Sequence, residues 1–462
     1  MKYFFLILFI FPFVWLCNAK TIYVSSSVGN DSFNGISPNT PLKTITLALT
    51  KGDTVLLKAN DIFYSKGLNI NNKRLSRYDK GSNPIVCGYK RIVSPKWTMV
   101  SKHIWRLNLA EDNFSGVVLK GSSMSNNIGC IHEYNKDLIH GRKVQYLSEL
   151  KENWDIWQTE RFERETPANE FDKIYLYYEE NPNRLKLEFS ITDTALSMQD
   201  AQVDGVNFCG YGFGISARSN SIIRNCDIDA IGGRTQIGYS SYVCYGNGIE
   251  FWVGVENCLV EDCRISRCYD CGCTIQGRKA SGVNILFRNN IIIDCCQGWE
   301  DFLTNEDPSV VFVKCVFENN LIVNSGRTSG FGYPEKRFKY CHVLGNNVKG
   351  NKGMIIRNNT FIGGNYYCSG AYLGKYKSNV WQGNTCIIKR GDYILSNYGG
   401  TKDVIRIPKE KGKFRTLNEA TDDAIRRYRE LTGDRTTRFV IKSESKIEKR
   451  IKKHKSKFAK YR

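Results

Sequence analysis

The sequence predicts an all-β fold: a right-handed parallel β-helix, or solenoid, with an inserted antiparallel β module and a C-terminal capping helix. Three observations carry this. A five-residue theme returns at intervals of 25 to 39 positions along the second half of the chain, glycines number 40 against 10 prolines, and there are 25 tyrosines and 24 phenylalanines. Glycine supplies tight turns, aromatics favour strands, and a repeat of this length marks a solenoid or a propeller. A composition of 41% hydrophobic and 24% charged residues excludes a disordered chain.

The theme reads Arg224-Asn225-Cys226-Asp227-Ile228, Glu261-Asp262-Cys263-Arg264-Ile265, Arg288-Asn289-Asn290-Ile291-Ile292, Glu318-Asn319-Asn320-Leu321-Ile322, Arg357-Asn358-Asn359-Thr360-Phe361 and, more weakly, Gln382-Gly383-Asn384-Thr385-Cys386. A parallel β-helix explains it better than a propeller, because equivalent residues of successive coils stack about 4.8 Å apart. An asparagine at such a turn can take a left-handed backbone and bond its amide to the coils above and below. The apolar residue two places later (Ile228, Ile265, Ile292, Ile322, Phe361) then points into the core. Unequal intervals are expected where loops leaving one corner of the coil lengthen.

Ahead of the repeats, residues 1–19 have the basic start, apolar run and small-residue end of a secretory signal peptide, with cleavage expected after Ala19. N-terminal coils are expected over 20–103. The theme breaks down over 104–190, where Trp105-Arg106-Leu107, Trp154-Asp155-Ile156-Trp157 and Ile174-Tyr175-Leu176-Tyr177-Tyr178 alternate apolar with polar, as an inserted antiparallel module would. The main β-helix spans 191–412. Over 413–441 an amphipathic helix, capped by Asn418 and stopped at Gly433, would close the open end of the ladder. The basic tail 442–462 reads as a solvated end. No later segment is apolar enough to span a bilayer, and an exported monomer (periplasmic, cell-surface or extracellular) is expected.

The 17 cysteines cluster mainly where a ladder places small apolar side chains, and stacked buried thiols are the preferred reading; Cys271/Cys273 and Cys295/Cys296 lack zinc-site spacing. The formal charge is +20, of which the tail supplies +8. A basic surface of this size points to an acidic partner, and export makes nucleic acid the least fitting one.

Thr21-Ile22-Tyr23-Val24 through Asn30-Asp31, with Asn34-Gly35-Ile36-Ser37-Pro38 and Lys51-Gly52-Asp53-Thr54-Val55, resembles the first coils of the secreted pectate-lyase-like β-helix superfamily. Tyr245-Gly246-Asn247-Gly248-Ile249-Glu250-Phe251-Trp252 and Tyr269-Asp270-Cys271-Gly272-Cys273-Thr274-Ile275-Gln276-Gly277 resemble a branch that includes bacterial glycoside hydrolases. The resemblance implies the fold and an activity on carbohydrate. It does not choose a reaction, because the superfamily holds lyases, hydrolases, esterases, epimerases and non-catalytic surface proteins.

Setting Gly248, Gly272 and Gly298 level puts Glu250, Thr274 and Glu300 in one column, facing outward if strands alternate strictly. Two coils separate the glutamates, about 9 to 10 Å along the stack, near the ~6.5 to 9.5 Å that an inverting glycosidase needs. Asp270 and Asp301 are further catalytic candidates, although strict alternation turns Asp301 and Trp299 inward; Glu306 and Asp307 add charge on the following loop. Trp252, Trp299, Tyr245 and Tyr269, with Gln276 and Arg327, are candidates for substrate binding, since sugar C–H faces stack on aromatic rings. Tyr239, Tyr242, Phe331 and Tyr333 add to the aromatic cluster. The leading expectation is a hydrolase of a complex, acidic polysaccharide that uses no metal and no cofactor. One alternative is a polysaccharide lyase with Arg278, Lys279, Arg327 or His342 supplying base and neutraliser, for which Ca²⁺ would be the expected cofactor. The other is a non-catalytic glycan-binding surface protein.

Overall fold

Successive coils each give one strand to three parallel sheets, as Glu256–Glu261, Arg264–Cys268 and Cys271–Gly277 do. Among the described residues the first sheet has ten strands from Thr21–Val24 to Val380–Gln382, the second has ten from Ile62–Tyr64 to Arg438–Ile441, and the third has thirteen, with antiparallel pairings only at its margins. The computed structural model describes residues 19–92, 95–108, 128–136, 138–144, 146–158, 173–235, 244–252, 254–277, 281–303, 312–326, 341–347, 353–370, 379–397 and 404–455. The expected signal peptide lies outside them, save Ala19, and none of their helices is long and apolar enough to cross a membrane.

Register follows the theme. Ile228, Ile265, Ile292, Ile322 and Phe361 pair in turn along the second sheet, and all five are fully buried. Two neighbouring residues divide the work that the sequence assigns to one asparagine. Asn289, Asn319 and Asn358 take the left-handed backbone, at φ 57, 54 and 54°, where asparagine is among the better tolerated side chains. The next residue forms the ladder: Asn290 Nδ2 donates to Asn320 Oδ1 at 3.0 Å, Asn320 to Asn359 at 3.1 Å and Asn359 to Asn384 at 3.1 Å. Each also donates to a backbone carbonyl of the coil before, as Asn320 does to Phe287 O at 3.2 Å, so the buried amides are satisfied.

The first position of the theme also stacks. Asp204, Arg224, Glu261, Arg288, Glu318 and Arg357 are level on consecutive coils and alternate in sign. Arg224 bonds Asp204 at 2.9 Å, Arg288 bonds Glu261 at 2.6 Å and Arg357 bonds Glu318 at 2.6 Å. Like charges two coils apart are thus always separated by an opposite one.

Cys226, Cys263, Cys268, Cys273, Cys295 and Cys386 are buried free thiols that fill core positions. Added chain length falls on both sides of the third sheet, not at one corner: 232–248 precede Ile249–Trp252, 327–340 precede Cys341–Asn347, and 304–311 follow Gln297–Leu303. Each of these three stretches therefore adjoins that sheet along the chain.

Within the expected insert, Arg142–Lys143, Asp155–Gln158, Lys173–Tyr177 and Ile104–Asn108 form a five-stranded sheet with Thr98–Ser101. The sheet starts six residues earlier than read, and one of its pairings, between Arg142–Lys143 and Asp155–Gln158, is parallel. Strand Leu187–Gln199 joins insert and helix: its first residues pair antiparallel with Ile131–Glu133, and its last pair parallel with Leu68–Asn71 and Tyr211–Ala217.

Both ends of the ladder carry a helix. At the start, α1 (Ile45–Lys51) buries Ile45 and Ala48 in the core cluster of the first coils. At the far end, α2 (Leu417–Thr432) buries Ala424 and Tyr428, and the Tyr428 ring lies 5.1 Å from Phe439. Its N-cap is Thr416, not Asn418: Thr416 Oγ1 accepts the Glu419 N–H at 3.1 Å, while Glu419 accepts the Arg415 N–H at 3.0 Å. Gly433 ends it at φ 74°. The tail is not a solvated end throughout, because α3 (Glu444–Lys455) is helical and seats Ile447 and Ile451 on Ile293, Val323, Ile362 and Ile387. Apolar residues four apart put both isoleucines on one face, with the lysines around the remainder.

Candidate active site

On the third sheet Glu250 pairs with Thr274 and Thr274 with Glu300, so the two glutamates occupy one column two coils apart. What brings them to a common environment is the glycine column beside them. A side chain at Gly272 would put its Cβ 2.3 Å from Ile292 Cγ2, and one at Gly248 or Gly298 would meet Ile265 or Ile322 at 2.5 Å. These positions face the core, as Ile249, Cys273 and Trp299 after them also do, so alternation skips one step there. The residues just before the glycines thereby share the outward face with the glutamates. Asn247 Nδ2 donates to Glu250 Oε2 at 2.6 Å, and the Cys271 thiol lies 3.1 Å from Glu300 Oε2 and 2.9 Å from Gln297 Oε1.

Glu300 also accepts Gln276 Nε2 at 2.6 Å and Thr274 Oγ1 at 3.4 Å. Both glutamates are nearly closed off, 8% and 6% exposed. Burial disfavours the charged form and raises each carboxyl, Glu250 to about 7 and Glu300 to about 8. The Asp270 charge lifts both, and Asp301 lifts Glu300 further. Hydrogen bonds from Asn247 to Glu250, and from Cys271 and Gln276 to Glu300, oppose the rise. The outcome is two carboxyls on one face that carry protons near neutral pH.

Other candidates fare differently. Asp270 is half-buried at the head of strand Cys271–Gly277 and acts on both glutamates by its charge. Asp301 is fully buried on the inward column between Ile275 and Gly345, so it does not stand on the face with the pair. The room for it comes from Gly345, where a Cβ would sit 3.3 Å from Asp301 Oδ1. Trp299 is a core residue and not a sugar platform, its ring 4.8 Å from Phe287 and 4.8 Å from Phe317. Tyr269 is also closed off from a sugar, buried in a separate apolar cluster with Cys87, Tyr89, Cys130, Ile139 and Ala230 that includes residues of the insert. Gln276 holds Glu300, and Trp252, 36% exposed, lies next but one to Glu250 on the outward side. Arg327, Glu306, Asp307, Arg278, Lys279, Tyr239, Tyr242, Phe331, Tyr333 and the side chain of Tyr245 lie outside the described residues. His342 is fully buried, with Nδ1 3.0 Å from Ser325 Oγ and Nε2 2.7 Å from Gly363 O. Among the described residues no group of three or more His, Cys, Asp or Glu side chains is placed to hold a metal ion.

Asn247, Cys271 and Gln297 were not anticipated. Their signal is a repeated amide-or-thiol, glycine, core residue, polar residue: Asn247-Gly248-Ile249-Glu250, Cys271-Gly272-Cys273-Thr274 and Gln297-Gly298-Trp299-Glu300.

A right-handed β-helix region model matches residues 191–333. Among solved structures, a XylC complex with xylose is 12% identical at a TM-score of 0.40, covering 91% of this chain and 82% of that one. A glycoside hydrolase is 10% identical at 0.42, covering 83% and 95%. An alginate lyase from Paenibacillus sp. str. FPU-7 is 12% identical at 0.33, covering 82% and 92%. No curated protein matches the sequence. By its sequence over residues 191–333 and by the register of its three stacked sheets, the chain is a right-handed parallel β-helix protein.

Proposed function

We propose that this chain is an exported enzyme that hydrolyses glycosidic bonds of an acidic polysaccharide on its third sheet, with Glu300 as general acid and Glu250 as the base that activates water. The observation that carries the reading is the pair itself, two nearly buried carboxyls on one column, both raised towards neutrality. Their backbones are about 9 to 10 Å apart by coil spacing, which suits inversion, with a water between base and sugar. Asp270 and Asp301 both oppose ionisation of Glu300, which fits the acid, whereas the Arg218 charge favours ionisation of Glu250, which fits the base. In the reaction Glu300 protonates the glycosidic oxygen as the bond to the anomeric carbon breaks. Water adds to that carbon from the opposite face while Glu250 takes its proton. Trp252 offers an exposed ring beside the base for a sugar face.

The lyase alternative loses His342 as its base, since that ring is enclosed with both nitrogens engaged. Incubation of the purified chain with uronate-rich and neutral polysaccharides tests the proposal. New reducing ends without unsaturated, ultraviolet-absorbing products are expected; unsaturated ends would replace it with a lyase, and no product from any polymer would leave binding alone.

A further inference from the structure

The geometry points to a second glycan site on the same face, at the C-terminal end of the ladder, which takes a negatively charged sugar segment. This inference rests on the proposed function for the ligand's being a glycan and on its own residues for the site. A cavity of about 880 Å³ opens there, lined among others by Tyr366, Tyr393, Arg406, Lys409, Lys442 and Lys446; drug-sized ligand sites span roughly 300 to 1,000 Å³.

Tyr366 and Tyr393 pair on neighbouring coils with ring centroids 4.9 Å apart, and the Arg406 guanidinium lies 5.1 Å over Tyr393. Aromatic rings flanked by cations are what a uronate or sulfated sugar requires, one stacking on C–H faces and the other meeting the anion. Six cations (Lys389, Arg390, Arg406, Lys409, Lys442 and Lys446) against two carboxylates (Asp392 and Glu444) leave the lining at +4. Glu444 pairs with Lys389, and Asp392 accepts the Lys389 backbone N–H at 2.9 Å. Arg390 is turned to Pro408 O and Thr421 Oγ1. Arg406 Nε donates to Gly391 O, which holds its guanidinium over Tyr393, and among the described residues no ion pair takes up Arg406, Lys409, Lys442 or Lys446.

Position ties this cavity to the glutamates. Tyr366 pairs with Cys341, and extending the Trp299–Val343 register by two residues sets Cys341 level with Gln297, just before Glu300. The tyrosines therefore lie two and three coils beyond Glu300, about 10 and 14 Å along the stack. A polymer laid parallel to the helix axis passes from the carboxylates to the basic cavity, where a neutral polymer gains the tyrosine contact alone and an acidic one gains the cations as well.

Calorimetric titration of the full chain with polygalacturonate, carboxyl-reduced polygalacturonate and dextran sulfate tests this. Arg406→Gln/Lys409→Gln and, separately, Lys442→Gln/Lys446→Gln are expected to weaken polygalacturonate binding by about tenfold, the scale of losing charge-assisted contacts, and to leave the reduced polymer unaffected. Tyr366→Leu should weaken both pectic polymers. Unchanged polygalacturonate affinity in both double variants overturns the site. So does an equal loss for dextran sulfate with no effect of Tyr366→Leu, which would mean simple ion exchange. Turnover by Glu300→Gln separates the two readings. If it persists while the cavity variants lose binding, the catalytic reading falls and the site stands; if it is abolished while they bind normally, only the site falls.

Discussion

Gln276 Nε2 donates to Glu300 Oε2 at 2.6 Å from the preceding coil, and this contact pulls the Glu300 carboxyl downward against burial and the charges of Asp270 and Asp301. Gln276→Met removes the donor and keeps the length of the side chain. Glu300 in this variant is expected to titrate still higher, because a hydrogen bond that favours the ionised form has gone. Carbon-13 NMR of labelled glutamate carboxyls reads the shift directly, and the alkaline limb of any rate profile should move up with it. A Glu300 titration that stays in place in Gln276→Met would show that the contact does not tune the acid.

The raised carboxyls also set the pH dependence of stability. Both are near 4.5 as ordinary glutamates and reach about 7 and about 8 in the fold. Between those limits the folded chain binds more protons than the unfolded one, so the stability these groups contribute is full below about 4.5 and is lost as pH rises through about 7 and about 8. Wild-type urea midpoints are expected to fall from about pH 5 to about pH 8, and Glu300→Gln should flatten that slope. A wild-type midpoint that rises over the window would mean the carboxyls are not raised.

Some of this was legible in the residues and some was not, for local reasons. The glutamate column could be read because Gly248, Gly272 and Gly298 mark the same point on three coils, and backbone pairing repeats faithfully once one point is fixed. Strict alternation from that point placed Trp299 and Asp301 inward, and both are buried there. Tyr269 was hidden because its burial comes from Cys130 and Ile139, which are more than a hundred residues away in sequence. The alternating column of Arg224, Glu261, Arg288, Glu318 and Arg357 was present in the repeat, but its meaning appears only when successive copies are compared by sign. Helix α3 is not legible because charge dominates the tail, and only Ile447 and Ile451 record its buried side.

Adjacent asparagines in one repeat should behave very differently. Asn320 links Asn290 and Asn359 and reaches Phe287 O, all away from solvent. Asn320→Ala leaves several of these groups unsatisfied and should cost about 2 to 4 kcal/mol, since each buried orphan costs roughly 1 to 3. Asn319 holds φ 54°. Asn319→Gly should change stability by less than about 1 kcal/mol, whereas Asn319→Val should cost about 1 to 3 kcal/mol for a β-branched residue in the left-handed region. Equal costs for Asn320→Ala and Asn319→Gly in denaturant unfolding would refute the division of roles.

The assignment of acid and base makes its own demand on kinetics. Glu250→Gln and Glu300→Gln keep shape and much of the hydrogen bonding, yet neither amide can exchange a proton, and each should lower kcat by more than about a hundredfold, the scale of general acid–base catalysis. The two losses should not multiply, because groups that act on one transition state fail as a unit. They should also differ in kind. A substrate whose leaving group needs no protonation, such as an activated aryl glycoside, should recover much of the rate in Glu300→Gln and little in Glu250→Gln, since only the acid becomes dispensable. In the wild type, with Glu250 at about 7 and Glu300 at about 8, activity should be bell-shaped with its maximum between those values. Rescue of Glu250→Gln by the activated substrate would exchange the two roles, and full activity in either variant on the natural polymer would remove the pair from the mechanism.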